Sequence, residues 1–119
     1  MTYSDFPTHS PLLTDLYELT MLQAYYLQGM QERAVFSLFS RKLPSRRNYL
    51  VACGLQPVLE YLEGLSFSEE EIDYLRSLGM FRESFLEWLR SFRFSGDVYA
   101  VPEGTVVFPD EPLLQVEAP

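Results

Sequence analysis

Arg41, Lys42, Arg46 and Arg47 form the basic cluster of an otherwise acidic chain, with nine Lys and Arg against seventeen Asp and Glu and a net charge of −8. A guanidinium is planar and permanently charged, so it pairs with phosphate oxygens better than the point charge of a lysine does. The chemistry on offer is therefore the binding of a small phosphate-bearing ligand, for which a few local cations suffice. Nucleic acid is disfavoured, because an acidic surface repels a phosphate backbone. The same four charges would also suit a solvated turn whose job is to keep a neighbouring strand edge from aggregating.

The remaining reactive side chains are few. Cys53 is the single cysteine, so no internal disulfide can form, and its apolar run Leu50-Val51-Ala52-Cys53 predicts a buried small hydrophobe. His9 is the single histidine and lies in the polar stretch before Pro11. One histidine and one distant cysteine do not make a metal site. Asp15 stands where a helix cap would be, and Tyr17 falls in the first turn behind it. Thr20 is polar between Leu19 and Met21 and could line a cleft with them. There is no glycine-rich phosphate loop and no nucleophile elbow.

The elements that must hold these groups follow from periodicity. Leu19, Leu22, Tyr26 and Met30 share a face, predicting a helix over residues 14–28 with Gly29 as its stop. Alternation predicts strands over 34–41 and 49–53, with the basic turn between them as a long hairpin. A helix with Pro57 in its first turn follows and ends at Gly64. Ser68-Glu69-Glu70-Glu71 is a capping box opening a second short helix, with Ile72 and Leu75 inward. Phe81, Phe85, Trp88, Leu89 and Phe92 form a helical stripe of core character. Short strands are expected over 97–101, 106–108 and 113–116, with turns at Pro102-Glu103-Gly104 and Pro109-Asp110-Glu111-Pro112. The class is α+β. Because 113–116 falls near the end of the sequence, an unpaired sheet edge and a truncated or segmented protein are expected. No secretory signal and no apolar run of about 20 residues occur, so a cytoplasmic location is expected and a membrane partner is not.

Periodicity alone names no function, but the order of several phrases does. Leu12-Leu13-Thr14-Asp15-Leu16-Tyr17-Glu18-Leu19-Thr20-Met21 resembles the opening signature of the nicotinate phosphoribosyltransferases. Phe36-Ser37-Leu38-Phe39-Ser40-Arg41, Ala52-Cys53-Gly54-Leu55, Phe92-Arg93-Phe94-Ser95-Gly96-Asp97-Val98 and Glu103-Gly104 follow in that family's order, so the resemblance runs from Leu12 to Pro119.

The resemblance implies an N-terminal α+β domain of the nicotinate/quinolinate phosphoribosyltransferase type over residues 12–119, behind a flexible leader over 1–11. It implies the joining of nicotinate to 5-phosphoribosyl 1-diphosphate, with Mg2+ and ATP used by the complete enzyme. A homodimer with sites at its interface is implied too. Tyr17 would stack on the pyridine ring across that interface, Arg41 would meet phosphate, and Asp15 and Thr20 would support the site. The family's phosphorylated histidine belongs to its barrel and has no counterpart here, so the chain alone is expected to be inactive. Two alternatives stand beside this reading. One is a stand-alone binding or dimerisation module; the other is the N-terminal part of a nicotinamide or quinolinate enzyme.

Overall fold

The computed structural model describes residues 10–119, so His9 and most of the leader lie outside the described residues. The chain divides into two compact units, one of residues up to 31 together with 61–94, the other of 32–60 together with 95–119.

The first unit is helical. Helix α1 (Leu16–Gln28) starts behind Asp15, whose backbone has the extended conformation of an N-cap. Its carboxylate makes no capping hydrogen bond, so Asp15 has the position expected of it without the side-chain contact. At the other end Gly29 adopts φ 65°, and the N–H groups of Gly29 and Met30 return to the carbonyls of Tyr26 and Tyr25. That is a Schellman closure, and glycine is there because the left-handed conformation costs it nothing. Helix α2 (Leu55–Gly64) leads the chain from one unit into the other. Helix α3 (Glu69–Ser77) opens with the expected capping box. The Glu71 N–H donates to Ser68 Oγ at 3.2 Å, and the Ser68 N–H donates to Glu71 Oε2 at 2.8 Å. Helix α4 (Glu83–Ser91) carries the aromatic stripe.

These helices close over Leu19, Phe67, Ile72, Leu75, Phe85, Leu86 and Leu89. Each such side chain removed from water contributes on the order of 1.5–3 kcal/mol before entropy is subtracted. Rings surround them: Tyr26 lies 5.2 Å from Trp88 and 5.8 Å from Phe85, and Phe92 lies 5.3 Å from Trp88. The stripe read from spacing is thus core. Met30 is not, since it follows the helix stop and is exposed.

The second unit is built of strands β1 (Ala34–Phe39), β2 (Leu50–Val51), β3 (Asp97–Ala100), β4 (Val106–Val107) and β5 (Pro112–Ala118). Its sheets have the orders β1-β5-β3 and β2-β4, all antiparallel. The expected hairpin of β1 with β2 does not form. The segment between them has no two-residue turn to fix a register, and β1 finds a longer partner in β5. Nor is the 113–116 segment an open edge, for β5 is the central strand.

The register explains the choice. Phe36 and Val98 both face Val116, while Leu38 and Ala100 face Leu114, which gives one wholly apolar side. Ser37 and Tyr99 flank Gln115, and Val35 and Asp97 flank Glu117, on the other side. A slip of one residue would put apolar against polar throughout. Gln115 Nε2 donates to Ser37 Oγ at 3.0 Å, and Arg33 binds Asp97 at 2.6 Å. Cys53 is exposed rather than buried. Strand β2 ends at Val51, so Cys53 falls in the bend beyond it and not on a sheet face.

Candidate functional site

In the helical unit the first turn of α1 brings Asp15, Tyr17 and Thr20 together. The opposite face of the helix is anchored by buried Leu19 and by Leu22 and Tyr26, which pack on the core. Tyr17 points away from that anchor and is 57% exposed. Its phenol is pushed above its ordinary value, first by Glu18, as hydrogen-bond acceptor and as charge, and then by Asp15. Both effects favour the neutral hydroxyl, whose proton is turned toward Glu18, so the ring presents an uncharged face. Thr20 is half-buried, and its Oγ1 donates to the Tyr17 carbonyl at 3.0 Å. The hydroxyl proton is therefore spent on the helix, leaving oxygen lone pairs for anything outside it.

A groove of about 380 Å³ lies along the same helix, between Leu13, Glu18 and Leu22 on one wall and Tyr61, Phe67 and Phe92 on the other. Burial, then the charge of Glu71, raises the Tyr61 phenol above its usual range. Ser10 donates to Glu71, so one carboxylate serves both the helix cap and the segment leading into α1.

In the strand unit Arg41 lies two residues past β1 rather than inside it, and is exposed. Residues 40–49 form an irregular loop in which the Arg47 N–H donates to the Pro44 carbonyl at 2.8 Å. Among the described residues no ion pair involves Arg41, Lys42, Arg46 or Arg47, whereas Arg33, Arg76 and Arg90 are all paired with carboxylates. Two further residues of this unit stood in turn signals in the sequence, Glu103 also in one of the phrases that carry the resemblance. Glu103 reaches the start of α2, accepting from the Gly54 N–H at 2.8 Å and the Leu55 N–H at 2.5 Å. Asp110 donates its N–H to the Ser40 carbonyl at 2.8 Å, one residue before Arg41. Among the described residues no group of three or more His, Cys, Asp or Glu side chains could hold a metal ion, and no helix is long and apolar enough to cross a membrane.

Known structures share this architecture. Human nicotinic acid phosphoribosyltransferase superposes with a TM-score of 0.78 at 34% identity, over 89% of this chain and 22% of that one. Nicotinate-nucleotide pyrophosphorylase from Pyrococcus furiosus shares the fold with a TM-score of 0.60 at 23% identity. By fold, then, this is an N-terminal α+β domain of the kind found in pyridine phosphoribosyltransferases. Residues 12–119 match the family described as nicotinate phosphoribosyltransferase (NAPRTase) N-terminal domain, and the chain belongs to that family. It is 55% identical over 108 residues to nicotinate phosphoribosyltransferase pncB2 of Mycobacterium tuberculosis, covering 91% of this chain and 23% of that protein. To nicotinate phosphoribosyltransferase 1 of Arabidopsis thaliana it is 44% identical over 116 residues, covering 95% and 21%. The chain thus spans about a fifth of the length of the relatives it matches.

Proposed function

We infer that this domain contributes to nicotinate phosphoribosyl transfer in NAD biosynthesis. The pyridine nitrogen of nicotinate bonds to C1 of 5-phosphoribosyl 1-diphosphate as the C1–oxygen bond to diphosphate breaks. The complete enzyme uses ATP and Mg2+, is cytoplasmic, and works as a homodimer. Among the described residues no cluster of His, Cys, Asp or Glu side chains fits that metal.

One observation carries the reading. Tyr17 is an exposed ring on the first turn of a helix whose other face is locked in a core. The helix that carries this ring is held in place before any ligand arrives, which lowers the entropy lost on stacking. An electron-poor pyridine on a phenol face is a favourable aromatic pair. Arg41 and its basic neighbours supply the phosphate contacts, since their charges are not spent on partners among the described residues.

The test is a graft. Residues 12–119 replace the matching segment of the Mycobacterium tuberculosis relative, and formation of nicotinate mononucleotide is measured. The graft enzyme is expected to turn over with nicotinate, while the 119-residue chain alone is expected to be silent. A folded, dimeric graft without activity would overturn the reading. Activity with nicotinamide in preference to nicotinate would reassign the substrate.

A further inference from the structure

We propose that Asp110 is a positioning residue for the phosphate-facing loop, fixing Arg41 through the carbonyl of Ser40. This role rests on the phosphate reading of Arg41 given above. Residues 108–111 form a four-residue turn, closed by the Glu111 N–H on the Phe108 carbonyl at 3.3 Å. The turn is clamped a second time, since the Phe108 N–H donates to Glu111 Oε2 at 2.8 Å. Pro109 occupies its second position and Asp110 its third, with φ 66°. That is type II geometry, in which the third position ordinarily falls to glycine or asparagine. Among the described residues Asp110 is the one non-glycine with positive φ.

Types I and II differ by a flip of the central peptide, so the sign of φ at position 110 decides where its N–H points. Here it points at the Ser40 oxygen, 2.8 Å away. The place matters. The ladder between β1 and β5 shifts register between Leu38 and Phe39, and β1 ends at Phe39. Beyond that point regular pairing no longer guides the chain, and the bond from Asp110 holds the residue that precedes Arg41. A backbone kept in a sparsely populated conformation, and anchored at the root of a functional loop, is the pattern expected of strain retained for positioning.

The test uses the graft enzyme and reads the KM for 5-phosphoribosyl 1-diphosphate, the KM for nicotinate, and kcat. Asp110→Pro removes the N–H and forbids positive φ. It is expected to raise the KM for 5-phosphoribosyl 1-diphosphate roughly tenfold while nicotinate KM and kcat stay within about twofold. Asp110→Gly keeps both the N–H and the conformation, and should leave every parameter unchanged. In an Arg41→Ala background Asp110→Pro should add nothing, because the two residues act on one contact. Should Asp110→Pro fail to fold, Asp110→Ala disfavours the same conformation and should move the same KM less far. An equal effect of the Asp110 substitution with and without Arg41 would overturn the proposal, as would no effect in the presence of Arg41. If Arg41→Ala alone leaves that KM unchanged, the phosphate reading falls first, and Asp110 has nothing left to position.

Discussion

The carboxylate of Glu103 closes the start of α2, accepting the N–H groups of Gly54 and Leu55 at 2.8 and 2.5 Å. An anion placed there satisfies donors that have no partner inside the helix and meets the positive end of its dipole. The neighbouring backbone reinforces the arrangement, with the Gly104 N–H on the Ala52 carbonyl and the Ala52 N–H on the Thr105 carbonyl, both at 2.8 Å. Glu103→Ala should therefore cost about 1 kcal/mol. Glu103→Gln, which keeps an acceptor but loses the charge, should cost roughly half as much. Urea denaturation gives the energies, and faster amide exchange at Gly54 and Leu55 in Glu103→Ala would locate the loss. Unchanged exchange at both amides would show that the cap is not maintained in solution.

Tyr17 offers a spectroscopic handle. Glu18 first, and Asp15 after it, hold its phenol above the ordinary value, so it should ionise later on a rising pH scale than an isolated tyrosine. Glu18→Gln removes the leading cause and should move the titration downward, which NMR of labelled tyrosine can follow. In the graft enzyme Tyr17→Ala should raise nicotinate KM roughly fivefold or more, and Tyr17→Phe much less, because stacking uses the ring and not the hydroxyl. A Tyr17→Phe variant as impaired as Tyr17→Ala would point to the hydroxyl instead.

The helical unit was legible in the sequence because its signals are local. The capping box at Ser68 and Glu71 spans a single turn, and the stripe from Phe81 to Phe92 repeats at helical spacing, so both could be placed without knowing any distant partner. Strand pairing was not legible for the opposite reason. Whether β1 meets β2 or β5 depends on residues far apart in sequence, and the nearer partner lost to the one whose register matched apolar with apolar. Cys53 was misplaced because its burial was inferred from an apolar run, whereas the strand within that run ends at Val51 and Cys53 is exposed beyond it. Of the candidate site, the composition of the basic loop could be read directly. Its anchoring through Asp110 could not, because a turn signal does not disclose which way its central peptide faces.

Burial predicts the cost of opening the helical core. Phe85 is fully buried among Tyr26, Phe81 and Trp88, with ring centres 5.8 Å away in each case. Phe85→Ala should cost about 3–5 kcal/mol, from lost transfer energy together with the cavity left behind. Phe85→Leu keeps most of the volume and should cost far less. Thermal melts followed by near-ultraviolet circular dichroism would report both, since Trp88 sits against the altered site. A loss below about 1 kcal/mol for Phe85→Ala would mean that the cluster collapses to fill the gap.

The pair of Arg76 and Glu83 ties the end of α3 to the start of α4. Two parallel contacts join them, Nε to Oε2 at 3.1 Å and Nη2 to Oε1 at 2.8 Å. This forked geometry favours the ionised carboxylate. The hydrogen bonds from Arg76 are the main cause that holds the Glu83 carboxyl below its ordinary value, with the Arg76 charge adding to them. A carboxyl depressed in the folded state binds its proton more readily once unfolded. Its contribution is therefore present above the unfolded value and is lost as pH falls through the lower, folded one. Melting temperature should drop as pH is lowered from about 5 toward 3. Glu83→Gln lacks this contribution, so it should melt slightly lower at pH 7 and show a flatter drop, the two proteins converging in acid. Glu83 is solvent-exposed and Arg76 only half-buried, so 0.5 M salt should shrink the difference between the two proteins. If wild type and Glu83→Gln lose stability in parallel across that range at low salt, the forked pair does not persist in solution, and other carboxylates account for the acid sensitivity.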